Sequence, residues 1–375
     1  MRVCFSECLV LLSFTALVSS TINPKTKKGH KAAKEVVNVV SKSGPQEKSV
    51  YDRNLVDSEP LASEIVSEAN TYFKETSLKN FNGTVLGYVT PWNSVGYEVA
   101  KKFGPKFNII SPVWLQINPL RKGDSNYEIQ GTHDCDENWI DEVKKSGKIT
   151  KIFPRLLFEH FTDQDYSKLL TYPEEVAKAS SVIIETCRKY KFDGVVLELW
   201  SQLSMRVDDD HLLNLVKSIA SHLKSVDIGL ILVIPPSQRG PDLFNARHFD
   251  HLWKDVTAFS LMTYDYSSYQ RPGANAPLYW MKQVIEHISA DNPEKRAKIL
   301  LGLNFYGYDF TPEGGEAVIG ANYLSLLKHV KGRLKFDEKD HENYFEARID
   351  LARELKVNLA IWEIGQGLDY FFDLL

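Results

Sequence analysis

From residue 82 onward the chain repeats one unit, a short apolar, β-branched run followed by an interval patterned for a helix. The runs fall at 85–90, 107–115, 149–158, 192–200, 228–234, 256–264, 299–306 and 359–364. Helical spacing of apolar residues is clear between Val176 and Tyr190, Leu212 and Lys224, Trp280 and Ile288, and Ala347 and Leu355. Strands that alternate with helices predict a parallel sheet, and eight such units predict its closure into an α/β (β/α)8 TIM barrel. A doubly wound open sheet is the structural alternative. That fold places a glycine-rich ligand loop after its first strand, and Val89-Thr90-Pro91-Trp92-Asn93 is nothing of the kind.

The 375 residues, 43% hydrophobic and 25% charged, are enough for such a barrel with a leading segment. Residues 1–20 read as a secretory signal peptide: Arg2 gives a positive start, Leu9 to Val18 an apolar run, and Val18-Ser19-Ser20 small residues for cleavage. The run is short for a bilayer, and no later stretch is apolar enough, so no membrane span is expected. The expected location is secreted or lysosomal, which gives meaning to the glycosylation sequon at Asn82-Gly83-Thr84.

Residues 21–80 read as a mobile extension with one helix. Five lysines between Lys25 and Lys34 mark a solvated arm, or alternatively one that grips anionic polysaccharide. Leu61, Ile65, Val66 and Tyr72 place the helix over residues 60–76. The barrel takes 81–375. A net charge of −4 argues against a nucleic-acid partner. Cys135 and Cys187, the cysteines beyond the leader, are either two thiols or one disulfide. No metal or cofactor is expected.

A parallel barrel keeps its active site at the C-terminal strand ends. Tyr88, Pro91 and Trp92 close the first strand, Trp114 the second, Glu159 the third, and Glu198 with Trp200 the fourth. Tyr264, Asp265 and Tyr266 close the sixth, Asn304 and Tyr306 the seventh, Trp362 and Glu363 the eighth. Any one of these rings could be core. As a set, flat apolar rings with a few carboxylates suit pyranose faces and their hydroxylated edges.

Four strands carry a resemblance. Val85-Leu86-Gly87-Tyr88-Val89, Met262-Thr263-Tyr264-Asp265-Tyr266, Leu301-Gly302-Leu303-Asn304-Phe305-Tyr306-Gly307 and Ile361-Trp362-Glu363 resemble strands one, six, seven and eight of glycoside hydrolase family 18. The resemblance spans residues 82–375 and implies chito-oligosaccharide ligands. In that family the fourth strand reads Asp-Gly-x-Asp-x-Asp-x-Glu; its final Glu protonates the leaving oxygen while the substrate's acetamido oxygen attacks. Here the run is Asp193-Gly194-Val195-Val196-Leu197-Glu198-Leu199-Trp200. Aligned on Asp193-Gly194, Val196 replaces the middle Asp, Glu198 the orienting Asp and Trp200 the acid. Alternation predicts Val196, Glu198 and Trp200 on one face. An indole N–H has no useful acidity, so the expectation is an inactive homologue.

Glu198, about 6.5 Å deeper along the strand, and Glu159 at the rim are the alternative acids of a weakly active glycosidase. The resemblance implies that Tyr264 and Asp265 contact the acetamido group, that Trp362 floors the central subsite, and that Glu198 partners Asp265. Tyr88, Trp92, Trp114, Trp200, Asn304 and Tyr306 complete the candidate ligand-binding set. The family also places a strand-rich segment near residue 346, where this chain runs directly from Tyr344-Phe345-Glu346 into Ala347. The resemblance thus implies lectin-like glycan binding with an innate-immune role. Lipopolysaccharide, bacterial cell-wall glycans and a stabilin-type scavenger receptor are its further implied partners. A cargo protein with a vestigial cleft is the remaining reading.

Overall fold

The computed structural model describes residues 39–375 apart from 122–126, 238–239, 312–315, 336 and 341–344. The expected signal peptide and lysine-rich arm lie outside the described residues.

The expected barrel is present. Its strands are β1 (Val85–Val89), β2 (Ile109–Pro112 and Leu115–Pro119), β3 (Lys151–Ile152 and Arg155–Phe158), β4 (Gly194–Glu198), β5 (Gly229–Ile234), β6 (Ala258–Leu261), β7 (Ile299–Asn304) and β8 (Asn358–Trp362). Every neighbouring pair is parallel, and β8 returns to β1 with Leu359 opposite Val85. β2 and β3 are each bent, and Pro154, which has no N–H to give the ladder, sits at the bend of β3. The ring stays closed because both halves pair, Ile109 opposite Lys151 below the bend and Leu115 opposite Leu156 above it.

Parallel strands covered on both faces need apolar side chains on both, and Gly-Leu-Ile-Leu-Val-Ile in β5 meets that demand. Alternation sorts them into two layers. Leu86, Phe153, Val196, Ile231, Leu300 and Ala360 fill the barrel lumen. Leu197, Leu232, Phe259 and Ile361 face outward into a second core under the helices. Those helices are α1 (Ser94–Lys102), α2 (Glu137–Gly147), α3 (Asp163–Thr171), α4 (Pro173–Tyr190), α5 (Asp209–Lys224), α6 (Ala246–Leu252), α7 (Leu278–Ile288) and α8 (Phe345–Leu355). Side chains mark their starts: Asp136 accepts from the Trp139 N–H, and Thr162 and Asp165 cap α3 reciprocally.

The segment before the barrel corrects the expectation of a mobile extension to residue 80. Its helix spans Ala62–Glu68 only, and Tyr72 lies on a strand, Asn70–Phe73, that pairs in parallel with Ser43–Gln46. Val50 is buried. Arg53 donates to Glu68 (3.0 Å), Thr71 (2.7 Å) and Asp373 (3.2 Å), and Asp373 also accepts from the Phe73 N–H. A partnered guanidinium therefore clasps this segment to the C-terminal turn. Among the described residues no helix is long and apolar enough to cross a membrane. Cys135 and Cys187 are free thiols, both raised to about 12 by burial.

Candidate functional site

The mouth of the barrel is built from inward-pointing residues at the strand ends. On β1, Tyr88 is buried, with its hydroxyl 2.8 Å from Ser260 Oγ of β6 across the lumen. Its ring centroid lies 5.1 Å from that of Trp362, the last residue of β8, which remains half-buried. Burial pushes the Tyr88 hydroxyl above its ordinary range, Glu198 adding to that shift and Arg155 opposing it, so both charges reach this ring. Tyr264, just past β6, is likewise raised by burial and feels Tyr88, Asp265 and Glu198. Gly302 of β7 permits this closeness: a Cβ there would stand 2.2 Å from the Leu261 carbonyl and 3.0 Å from the Tyr264 ring.

Asp265 has a left-handed backbone, φ 61°, steadied by its N–H donating to Asn275 Oδ1 at 2.7 Å. Its carboxylate accepts from the hydroxyls of Tyr306 and, at 2.9 Å, Tyr308. Burial raises its pKa and the two tyrosine hydroxyls resist that rise. The expected Glu198–Asp265 pairing is corrected here. Glu198 Oε2 instead lies 3.3 Å from Arg155 Nε, because Arg155 shares the inward parity of Phe153 and sits opposite Val196. Asn304 points to the same end, its amide donating to the Tyr306 carbonyl at 2.6 Å.

Two expected cleft rings are in the outer core. Val113 takes the lumen side at the bend of β2, so Trp114 faces out and is 1% exposed, packed on Tyr97 and Trp139. β4 ends at Glu198, and Leu199 (φ −129°, ψ −37°) leaves the extended region. Alternation therefore stops before Trp200, whose side chain is fully buried against Phe244 and His248 with its N–H on the Leu243 carbonyl at 2.7 Å. Trp92 is 41% exposed on the loop after β1 and makes no ring contact among the described residues. Glu159 is half-buried at the end of β3. Asp193 works as a brace at the base of β4, accepting from the Ile152 N–H (2.8 Å) and the Lys144 ammonium (2.9 Å). Asn82 is exposed.

Beside the mouth lies a cavity of about 1130 Å³ that is distinct from the ring cluster. Asn304, Tyr306 and Tyr308 form the shared wall, and Leu55, Phe345 and Phe371 line the far side. The position where the family's extra segment was expected falls at the start of α8, against this cavity. Among the described residues no group of His, Cys, Asp or Glu could hold a metal ion.

Comparison with known proteins then places the chain. Glycosyl hydrolases family 18 matches residues 84–357, well over half of its length. The chain belongs to glycosyl hydrolase family 18. Among solved structures of this fold, the chitinase from Chromobacterium violaceum superposes with a TM-score of 0.62 at 16% identity, covering 78% of this chain and 98% of that one. A Cycas revoluta family 18 chitinase mutant in complex with (GlcNAc)4 gives 0.62 at 14% identity, over 78% and 98%. The spore cortex-lytic enzyme SleL of Bacillus cereus gives 0.61 at 16%, over 78% and 73%. The family 18 fold supports chitin-type carbohydrate binding or hydrolysis. Three participants were missed by reading strand ends alone: Arg155, Ser260 and Tyr308. Parity from Phe153 and from Ala258 would have found the first two.

Proposed function

We propose that this chain binds N-acetylglucosamine-type oligosaccharides in the barrel mouth and does not cleave them. The supporting observation is the fate of the fourth strand. Its last inward carboxylate, Glu198, is engaged by the Arg155 guanidinium, and the position aligned with the family's acid is an indole in the outer core. A leaving sugar needs a proton donor at its glycosidic oxygen. Stacking needs only a ring: Trp362, next to Tyr88 and on the same mouth as Tyr264, can take a pyranose face without any proton transfer.

Calorimetric titration of chitotetraose into the wild type and Trp362→Ala tests the binding half. Loss of a central tryptophan should cost about 2 kcal/mol, roughly thirtyfold in affinity. Equal affinities in folded protein would sink the reading. Reducing ends released above a blank, and abolished in Glu198→Gln, would make the chain a glycosidase with Glu198 as its acid. The proposal extends to a secretory or lysosomal route with exposed Asn82 as glycan acceptor, and to an innate-immune role. Lipopolysaccharide, cell-wall glycans and a stabilin-type receptor are the corresponding partners. A glycan array on protein recovered from the medium of secreting cells tests route and ligand together; no captured glycan would favour a vestigial cleft.

A further inference from the structure

Arg155 brings a permanent charge into the lumen of a barrel whose other lining is mostly apolar. The residue is only 9% exposed. Among the described residues its one ion-pair partner is Glu198, at 3.3 Å from Nε; the pair lacks hydrogen-bond alignment, and Nε is sealed from solvent without an acceptor. Among the described residues no protein atom accepts a hydrogen bond from its terminal nitrogens, and neither is among the sealed atoms that Nε belongs to. The charged groups facing it are few. Glu198 shares its side of the mouth, and the Asp265 carboxylate is occupied by Tyr306 and Tyr308. A buried guanidinium with a single poorly aligned partner is an incomplete arrangement, because buried cations are ordinarily saturated with acceptors.

We propose that the ligand completes it: the mouth takes an acidic N-acetylhexosamine oligosaccharide whose carboxylate is received by the terminal nitrogens of Arg155, while Nε stays with Glu198. The inference rests on the reading of the mouth as a glycan site. A carboxylate matches the planar fork of a guanidinium and can accept two parallel hydrogen bonds from it. Neutral hydroxyls would leave the cation short of charge. A phosphate dianion would crowd a second negative charge against Glu198.

The test compares chitotetraose with the same tetrasaccharide oxidised at C6 to its uronate, and with the methyl ester of that uronate, each titrated into the wild-type chain. The uronate should bind at least about tenfold more tightly than the neutral parent. Its advantage should shrink as salt rises and vanish in the ester. Arg155→Met should bring the affinity ratio of uronate to parent close to one. If that substitution alone prevents folding by stranding Glu198, Arg155→Met combined with Glu198→Gln gives the same reading. Neutral and acidic sugars bound equally well by the wild type would overturn the inference and leave glycan binding intact. Binding of neither would overturn the glycan reading itself.

Discussion

Just past the end of β8, Glu363 is fully buried outside the barrel wall, where Asn93 Nδ2 donates to one of its oxygens at 2.6 Å and the Gly365 N–H to the other at 2.8 Å. The fit is close: a Cβ at Gly96 of α1 would lie 2.3 Å from Oε1. Burial raises the carboxyl from 4.5 to about 7, against the two hydrogen bonds that favour its charged form. The folded chain thus keeps this proton in a pH range where the unfolded chain has lost it. Stability from this group is full below about pH 4.5 and drains away as pH rises to about 7, where the folded carboxyl also ionises. At about 1.36 kcal/mol per pH unit, that gap amounts to about 3 kcal/mol.

Glu363→Gln removes the titration while keeping the shape. The amide oxygen can accept from Gly365, and its NH2 can donate to Asn93 once that amide turns over. The variant should match the wild type near pH 4.5 and exceed it at pH 7.5 by about 3 kcal/mol. For a chain of this size that is about 6 °C in melting temperature, taking about 2 °C per kcal/mol. Scanning calorimetry of both proteins at four pH values between 4.5 and 7.5 measures it directly. Parallel melting curves across that range, or a variant less stable at pH 7.5, would refute the reasoning.

Two further outcomes follow from the corrected placements. Trp200→Glu should not restore hydrolysis, because position 200 lies in the outer core against Phe244 and His248. It should instead destabilise the fold by about 3–5 kcal/mol, read from urea unfolding, and any gain of reducing-end release would show the site had been misplaced. Arg53→Met should lower stability by about 2–3 kcal/mol, less than the ~3–5 kcal/mol of a fully stranded buried pair. The discount reflects that Glu68 keeps Lys42 and Asp373 keeps the Phe73 N–H. An unchanged urea midpoint would mean that residues 43–80 ride loosely on the barrel after all.

The barrel was legible because its evidence is local and repeated: each strand announces itself by a β-branched run, and errors at one unit do not propagate to the next. The leading segment was half legible. Its helix showed in the spacing of Ile65 and Val66, but the strand holding Tyr72 is defined by pairing with Ser43–Gln46 far upstream, which no local pattern reveals. Tyr88 and Trp362 face the lumen as alternation expects, because each lies within a strand, where period two is reliable. Trp200 failed for the opposite reason: counting by two was carried two residues beyond the end of β4, past the non-extended Leu199. Trp114 failed at a bend inside β2. Asp265 and Tyr308 meet through a left-handed residue and a loop, geometry that a periodic reading does not contain. Catalytic and binding residues of a barrel gather at strand ends and in the loops beyond them, where alternation stops being imposed by the sheet. The fold can therefore be read with confidence from the same residues that misdirect the site, and an alignment to a family motif inherits that weakness. The alignment pointed to an indole in the active site; the backbone at Leu199 turned it away and left Glu198, with Arg155 beside it, as the last word of the fourth strand.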